Sequence, residues 1–264
     1  LKIGVIGWGC VGSACGEGFK MLGHEVFAHD PKFNTSIDCV IDTDLVLVCV
    51  PTPEGENGEC DLSIVKTTIE DLKFRNYQGV IALKSTSVPG TTQSLIDRYD
   101  DRDICFVPEF LRERTALEDF VRNHEVLAVG CHTDRAWHRV CEAHGWLPKN
   151  KVRMNPTEAE ILKYYSNTFN SLRVTFANVM YEISEKLDSD YDKILNTFLL
   201  RGTASPDYLK CGPDIRGYGG MCLPKDTKAM ANLCKELSLP FELFNAVDHD
   251  NNQVKTTVFQ GMRK

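Results

Sequence analysis

The 264-residue sequence has no Cys-x-x-Cys pair, no low-complexity run and no apolar stretch approaching the length of a membrane span. It also has no basic block, and its formal charge is −7 at pH 7. Each absence removes a class of protein. Without a basic patch, nucleic acid is not an expected partner. Without a span, neither is the membrane. The opening LKIGVIG goes straight into strand-like sequence and lacks a signal-peptide layout. The eleven cysteines are odd in number, and Cys49 and Cys105 lie inside the apolar runs LVLVCVP and DICFVP. They read as a reduced, cytoplasmic set of small hydrophobes rather than a disulfide framework. The length allows one large or two ordinary domains with real cores.

The N-terminal half alternates strand and helix signals. KIGVIGWGCVG is a short apolar strand entering Gly7-x-Gly9-x-x-Gly12, followed by a helix to about Leu22 and a second strand, GHEVFAHD, that ends at Asp30. Gly7 suits the tight turn, Gly9 admits a pyrophosphate, and Gly12 lets helix and strand pack closely. Asp30 stands where a carboxylate would take the adenosine ribose hydroxyls. Its charge favours NAD over NADP, a preference that Lys32 softens. DLVLVCVPTP, GVIALKST, DICFVPEF and EVLAVGC are further strands, and DLSIVKTTIEDL is a helix with Asp61 as N-cap. Such interleaving implies a Rossmann-type, doubly wound parallel sheet with ligands at the strand C-terminal ends. The expected NAD contacts are Gly7, Gly9, Cys10, Val11, Gly12, Asp30 and Lys32, joined by Val50, Pro51, Thr52, Ser85 and Thr86 in the strand-end loops.

From about residue 151 the pattern becomes helical. Thr157 and Glu160 form a possible capping box ahead of a long helix that is apolar on most faces. Lys163 and Asn167, one turn apart on it, need polar company or a ligand. In GYGGMCLPKDTKAM the glycines permit positive φ and close approach, and Pro224 suits a helix's first turn. Cys222 therefore sits at a helix N-terminus near Lys225, the kind of place where a sulfur nucleophile is activated. His138, Cys141 and His144 can share a helix face, but they match no standard zinc spacing, and Trp137 and Trp146 point to packing; no metal is expected.

In order along the chain, GWGCVG, GHEV, VPTP, DLSIV, KSTSVPGTT, PEFLRE, AEILKYYSNTF and GYGGMCLPKD resemble the UDP-glucose/GDP-mannose dehydrogenase family. The resemblance implies an NAD-binding domain over 1–147 and an all-helical central domain over 148–264. It also implies oxidation of a sugar CH2OH to a carboxylate with two NAD+ reduced. Cys222 would hold the intermediate as a thiohemiacetal and then a thioester. Lys163 and Asn167 would stabilise charge on oxygen, Asp226 would position Lys163 or the hydrolytic water, and Glu109 and Thr86 would hold or activate that water. Substrate contacts are implied for Phe110, Leu111, Arg112, Tyr218, Gly219 and Gly220, with Arg216 a candidate sugar-site arginine. A homodimer through the long central helix is implied as well.

The family normally continues through a long helix into a third α/β domain that grips the nucleotide. Here FELFNAVDHDNNQVKTTVFQGMRK looks like that helix, so most base and pyrophosphate contacts are expected to be missing. Two alternatives stay open. One is a one-step β-hydroxyacid-type dehydrogenase, which needs no cysteine in a GGxC turn. The other is a non-catalytic cofactor-binding module that a partner completes.

Overall fold

The computed structural model describes residues 1–55 and 58–257. In chain order the elements are β1 (Lys2–Ile6), α1 (Cys10–Met21), β2 (Glu25–His29), β3 (Leu45–Val48), α2 (Ser63–Phe74), β4 (Val80–Leu83), α3 (Thr91–Tyr99) and β5 (Ile104–Phe106). They continue with α4 (Ala116–Val121), β6 (Val126–Gly130), α5 (Asp134–His144), β7 (Asn150–Met154), α6 (Pro156–Lys186), α7 (Tyr191–Leu199), α8 (Leu223–Glu236) and α9 (Leu243–Asn252). Two compact units result. One comprises Leu1–Pro53 and Cys60–Lys163, the other Glu54–Glu59 and Tyr164–Lys264.

The first unit is a seven-stranded sheet of order β2-β1-β3-β4-β5-β6-β7. Its strands pair in parallel except at β5–β6, which meet antiparallel through Phe106 and Gly130. β3, β4 and β5 are buried at every residue, which explains their unbroken apolar sequence. One face packs Phe19, Phe120 and Val140 into a core, and the other packs Val65, Ile69, Leu72 and Leu95. The reversal from strand order β1-β2 to β1-β3 places the β1 and β3 ends at a topological switch point, the usual place for a ligand in such sheets. The doubly wound fold read from the sequence is the fold found.

Three local expectations change. Asp61 does not directly precede α2; Leu62 does, and the Asp61 carboxylate accepts the Ser63 N–H at 2.8 Å. The capping box of α6 lies two residues earlier than expected. Asn155 Oδ1 accepts the Glu158 N–H, and Glu158 Oε2 accepts the Asn155 N–H, both at 2.8 Å. Pro156 opens the helix, where its missing N–H costs nothing, and this sets the earlier start. Glu160 is thereby released for another task. Fully buried, it accepts the N–H groups of Gly90 (2.6 Å) and Thr92 (2.8 Å) and the Thr92 hydroxyl (2.6 Å). It thus caps α3 from a distance and pins the 84–90 strand-end loop.

The second unit is helical, with a core of Ala177, Tyr181, Tyr191, Leu195 and Leu209. The helix expected from residue 241 onward ends at Asn252, and its expected continuation through 258–264 lies outside the described residues. The cause is competition for the backbone. Thr257 donates its N–H to Arg216 O at 3.1 Å, and its hydroxyl accepts the Arg216 N–H at 2.8 Å. The chain is drawn alongside the glycine-rich loop instead of continuing as helix.

Candidate active site

In the first unit the glycine turn is built by contact. A Cβ on Gly12 would lie 1.9 Å from Gly7 O, and Gly7 adopts φ +91° against Cys49 O. Gly9 differs, because a Cβ there would meet nothing within 4 Å. Gly9 is also the N-cap of α1, and no side chain caps that helix end. Cys10 is exposed with its thiol 3.7 Å from Glu113 O, while Val11 packs on the core. At the end of β2, Asp30 is 8% exposed and accepts the Trp8 N–H (2.7 Å) and the Lys32 N–H (2.9 Å). The Lys32 N–H bond chiefly, with help from Trp8, holds its carboxyl below the usual range despite burial. An open space at Gly9, an uncapped helix end and a fixed carboxylate beyond the second strand fit a dinucleotide pyrophosphate and ribose.

The strand-end loops are tied together. Ser85 is buried and donates to Val50 O at 2.7 Å; Thr86 O accepts the Cys60 thiol at 3.5 Å. Pro51 is exposed and Thr52 half-buried. Beyond β5, Glu109 is 7% exposed and pairs with Lys84, Nζ to Oε2 at 2.8 Å. Burial pushes the Glu109 carboxyl up, but the charge and hydrogen bond of Lys84 outweigh it, so the group lies below its ordinary value. Lys163 donates to Glu109 O, and its ammonium lies 5.7 Å from the Phe110 ring centroid. Leu111 packs on the core; Arg112 forks onto Asp119 at 2.9 and 2.6 Å.

In the second unit Cys222 is exposed and forms the N-cap of α8, and its carbonyl accepts the Asp226 N–H at 2.9 Å. Positive φ at Gly217 (+62°) and Gly220 (+77°) shapes the loop ahead of it, with Gly219 between them. Asn251 forms a two-point pair with Tyr218, accepting its N–H at 2.7 Å and donating to its carbonyl at 3.0 Å. Asp226 is fully buried. Its Oδ2 accepts Asn167 Nδ2 and its Oδ1 accepts Lys225 Nζ, each at 2.6 Å. Arg216 is committed to Asn178 (2.9 Å) and Glu182 and stacks on Tyr181. A cavity of about 450 Å³, mostly apolar, is lined by Val174, Tyr208, Lys210, Ile215, Tyr218 and Leu223, the last adjoining Cys222 in sequence.

Within the units, the structure thus joins Lys163 to Glu109 and Asn167 to Asp226. It adds Lys84, Asn178 and Asn251, which the motifs did not single out. Lys84 had a signal, a lysine directly after four buried strand residues. The two asparagines had none, because the loop groups they hold, at Arg216, Gly217 and Tyr218, lie 33 to 39 residues away. Among the described residues no group of three or more His, Cys, Asp or Glu side chains is placed to hold a metal ion. His144 is instead buried beside Phe19, Phe120 and His124.

Residues 28–144 match the UDP-glucose/GDP-mannose dehydrogenase family's NAD binding domain, and residues 157–253 match its central domain. UDP-glucose 6-dehydrogenase AglM of Haloferax volcanii is 28% identical over 87% of this chain, which spans 64% of that protein's length. A UDP-glucose dehydrogenase structure from Pyrobaculum islandicum superposes with TM-score 0.87 at 26% identity, covering 96% of this chain and 68% of that one. A 3-hydroxyisobutyrate dehydrogenase of Mycobacterium tuberculosis shares the fold, with TM-score 0.77 at 12% identity over 96% of this chain and 92% of its own.

Proposed function

Because the chain belongs to the UDP-glucose/GDP-mannose dehydrogenase family, we propose that it oxidises the primary alcohol of a nucleotide sugar to a uronic acid, with Cys222 as covalent carrier. The observation that carries this reading is the placement of Cys222. It is an exposed thiol at the N-terminus of α8, directly after the glycine-rich loop and next in sequence to a residue lining the cavity. That cavity is within the size range of small-molecule sites.

The first unit is an NAD-binding domain; NAD+ held there by the Gly7–Gly12 turn and Asp30 would supply the hydride acceptor for each oxidation. The alcohol carbon loses one hydride and the hydroxyl its proton, giving an aldehyde. The Cys222 sulfur then adds to the carbonyl carbon, and the π pair moves onto oxygen, where Lys163 and Asn167 are the proposed stabilisers. Loss of the second hydride restores the C=O bond as a thioester. Water adds to that carbon with Glu109 accepting its proton, and the C–S bond breaks with its electron pair returning to sulfur. The balance is RCH2OH + 2 NAD+ + H2O giving RCOO− + 2 NADH + 3 H+. Thr86 would help hold the water, and the side chain of Asp226 would fix Asn167. Phe110, Leu111, Arg112, Tyr218, Gly219 and Gly220 are proposed as substrate contacts.

Cys15, Cys105 and Cys131 pack in the apolar core of the sheet as small hydrophobes, which supports a reducing, cytoplasmic setting. No helix among the described residues is long and apolar enough to cross a membrane. We further propose a homodimer along α6 and a product that feeds polysaccharide synthesis.

The test is NADH formed per sugar consumed, with UDP- and GDP-sugars, for the purified chain and for Cys222→Ala. Two NADH per sugar, lost in the variant, is the expected result. One NADH per substrate with Cys222→Ala unaffected would favour the one-step β-hydroxyacid type, whose fold this chain shares along most of its length. NAD binding without any NADH would leave a cofactor-binding module that needs a partner domain.

A further inference from the structure

Lys84 and Glu109 follow the neighbouring strands β4 and β5, and their charged ends meet with side-chain exposures of 1% and 9%. Withdrawing two charges from water is expensive, and well-packed apolar residues often serve stability as well. Both carboxylate oxygens are also held. Oε1 accepts the Phe110 N–H at 2.9 Å, and Oε2 accepts the Cys15 thiol at 3.8 Å as well as the Lys84 ammonium. The other titratable groups around it are Cys15 on α1, Cys49 after β3 and His124 after α4, with Lys163 at the Glu109 carbonyl. Burial pushes the Cys15 and Cys49 thiols up and the His124 imidazole down, so all three are neutral near neutral pH. Lys84 is left as the cation that faces the carboxylate itself.

We propose that Lys84 is a positioning residue for Glu109, fixing one carboxylate oxygen and keeping the group ready to accept a proton from the water that cleaves the Cys222 thioester. The inference rests on the reading that Glu109 is the base in that hydrolysis. The water O–H bond breaks toward a Glu109 oxygen while the water oxygen bonds to the thioester carbon, and no electrons are exchanged with a redox partner. Burial alone would raise the Glu109 carboxyl, and a protonated carboxyl could not take that proton. Lys84 is itself pushed up by Glu109 against the opposing effect of burial, so both partners stay charged.

The experiment is a carbon-13 NMR titration of the full chain labelled at the glutamate carboxyl carbon, with the Glu109 resonance identified by its loss in Glu109→Gln. In the wild type the resonance should keep its carboxylate position to lower pH than those of exposed glutamates. In Lys84→Met it should move to the protonated position at higher pH than in the wild type, because burial then acts unopposed by Lys84. A wild-type Glu109 that titrates with the exposed glutamates or above them overturns the proposal, and this arm decides even if Lys84→Met does not fold. An unchanged midpoint in a folded Lys84→Met overturns it too. In turnover, Lys84→Met should accumulate sugar-acyl Cys222 by mass spectrometry and slow hydrolysis about 100-fold, with partial recovery as pH rises. The underlying reading fails separately: Glu109→Gln hydrolysing at the wild-type rate would remove Glu109 as the base, whatever the NMR shows about Lys84.

Discussion

Asn167 Nδ2 donates to Asp226 Oδ2 across 2.6 Å, and the two residues are 8% and 0% exposed. Because Lys225 holds the other carboxylate oxygen, the amide of Asn167 is oriented by a group that is itself fixed. A polar side chain on a buried helix face thereby gains a single orientation before any ligand arrives.

Removing that carboxylate leaves the buried Asn167 amide and the half-buried Lys225 ammonium without this acceptor. Asp226→Ala is therefore expected to cost about 3 kcal/mol of stability, read from urea unfolding midpoints. Asp226→Asn keeps an oxygen for Asn167 and should cost less. Equal midpoints for Asp226→Ala and wild type would mean that the pair contributes nothing in solution.

The glycines of the dinucleotide turn separate folding from binding. Gly9→Ala places its methyl in open space, so unfolding should be unchanged while NAD affinity falls at least about tenfold, because the methyl occupies the pyrophosphate's approach. Gly12→Ala puts a methyl 1.9 Å from a backbone oxygen and should destabilise the fold itself, by about 1–3 kcal/mol. Calorimetric NAD titration beside thermal melts checks both. Full NAD affinity in Gly9→Ala would remove the turn from the cofactor site.

The fold was legible because its signals are local. The Gly7–Gly12 spacing, the unbroken apolar run of β3 and the proline at the start of α8 each dictate backbone geometry within a few residues. The placement of Cys222 at the start of α8 was legible for the same reason, since it depends on one helix end. What sequence spacing hid was partnership across long separations. Glu160 read as half of a capping box, yet it caps a helix 68 residues away, because Asn155 and Pro156 claim the box first. Lys84 followed a strand visibly, but only the parallel pairing of β4 and β5 brings Glu109 to it.

Acid should loosen the first unit before most carboxylates titrate. His144 is enclosed by Phe19 and Phe120 at 5.1 and 5.6 Å, and burial holds its imidazole well below the ordinary 6.5. His124, in contact with it, is shifted the same way by burial. Below pH 6.5 the unfolded chain binds protons that the native state refuses, so stability is full above that pH and falls as pH drops toward the native values. Each histidine steepens the slope by up to about 1.4 kcal/mol per pH unit. Urea midpoints between pH 7.5 and about 5 should fall less steeply in His144→Leu than in the wild type; identical slopes would contradict the assignment.

The proposed homodimer rests on α6. On it Tyr165, Phe169, Phe176, Val179 and Ile183, with Leu187 just past its end, recur at steps of three, four and seven, and all are exposed in the single chain, by 43% to 71%. An exposed apolar stripe of this length on a helix surface is uncommon in a monomer, and this supports the proposed dimer. Burying a phenylalanine side chain contributes about 1.5–3 kcal/mol, so a charge at the middle of the stripe should act strongly on association and little on folding. Phe176→Glu is expected to shift the protein from dimer to monomer in analytical ultracentrifugation at micromolar concentration, with circular dichroism unchanged. A wild type that sediments as a monomer there would discard the dimer. A Phe176→Glu protein that remains fully dimeric would move the interface off this face of α6.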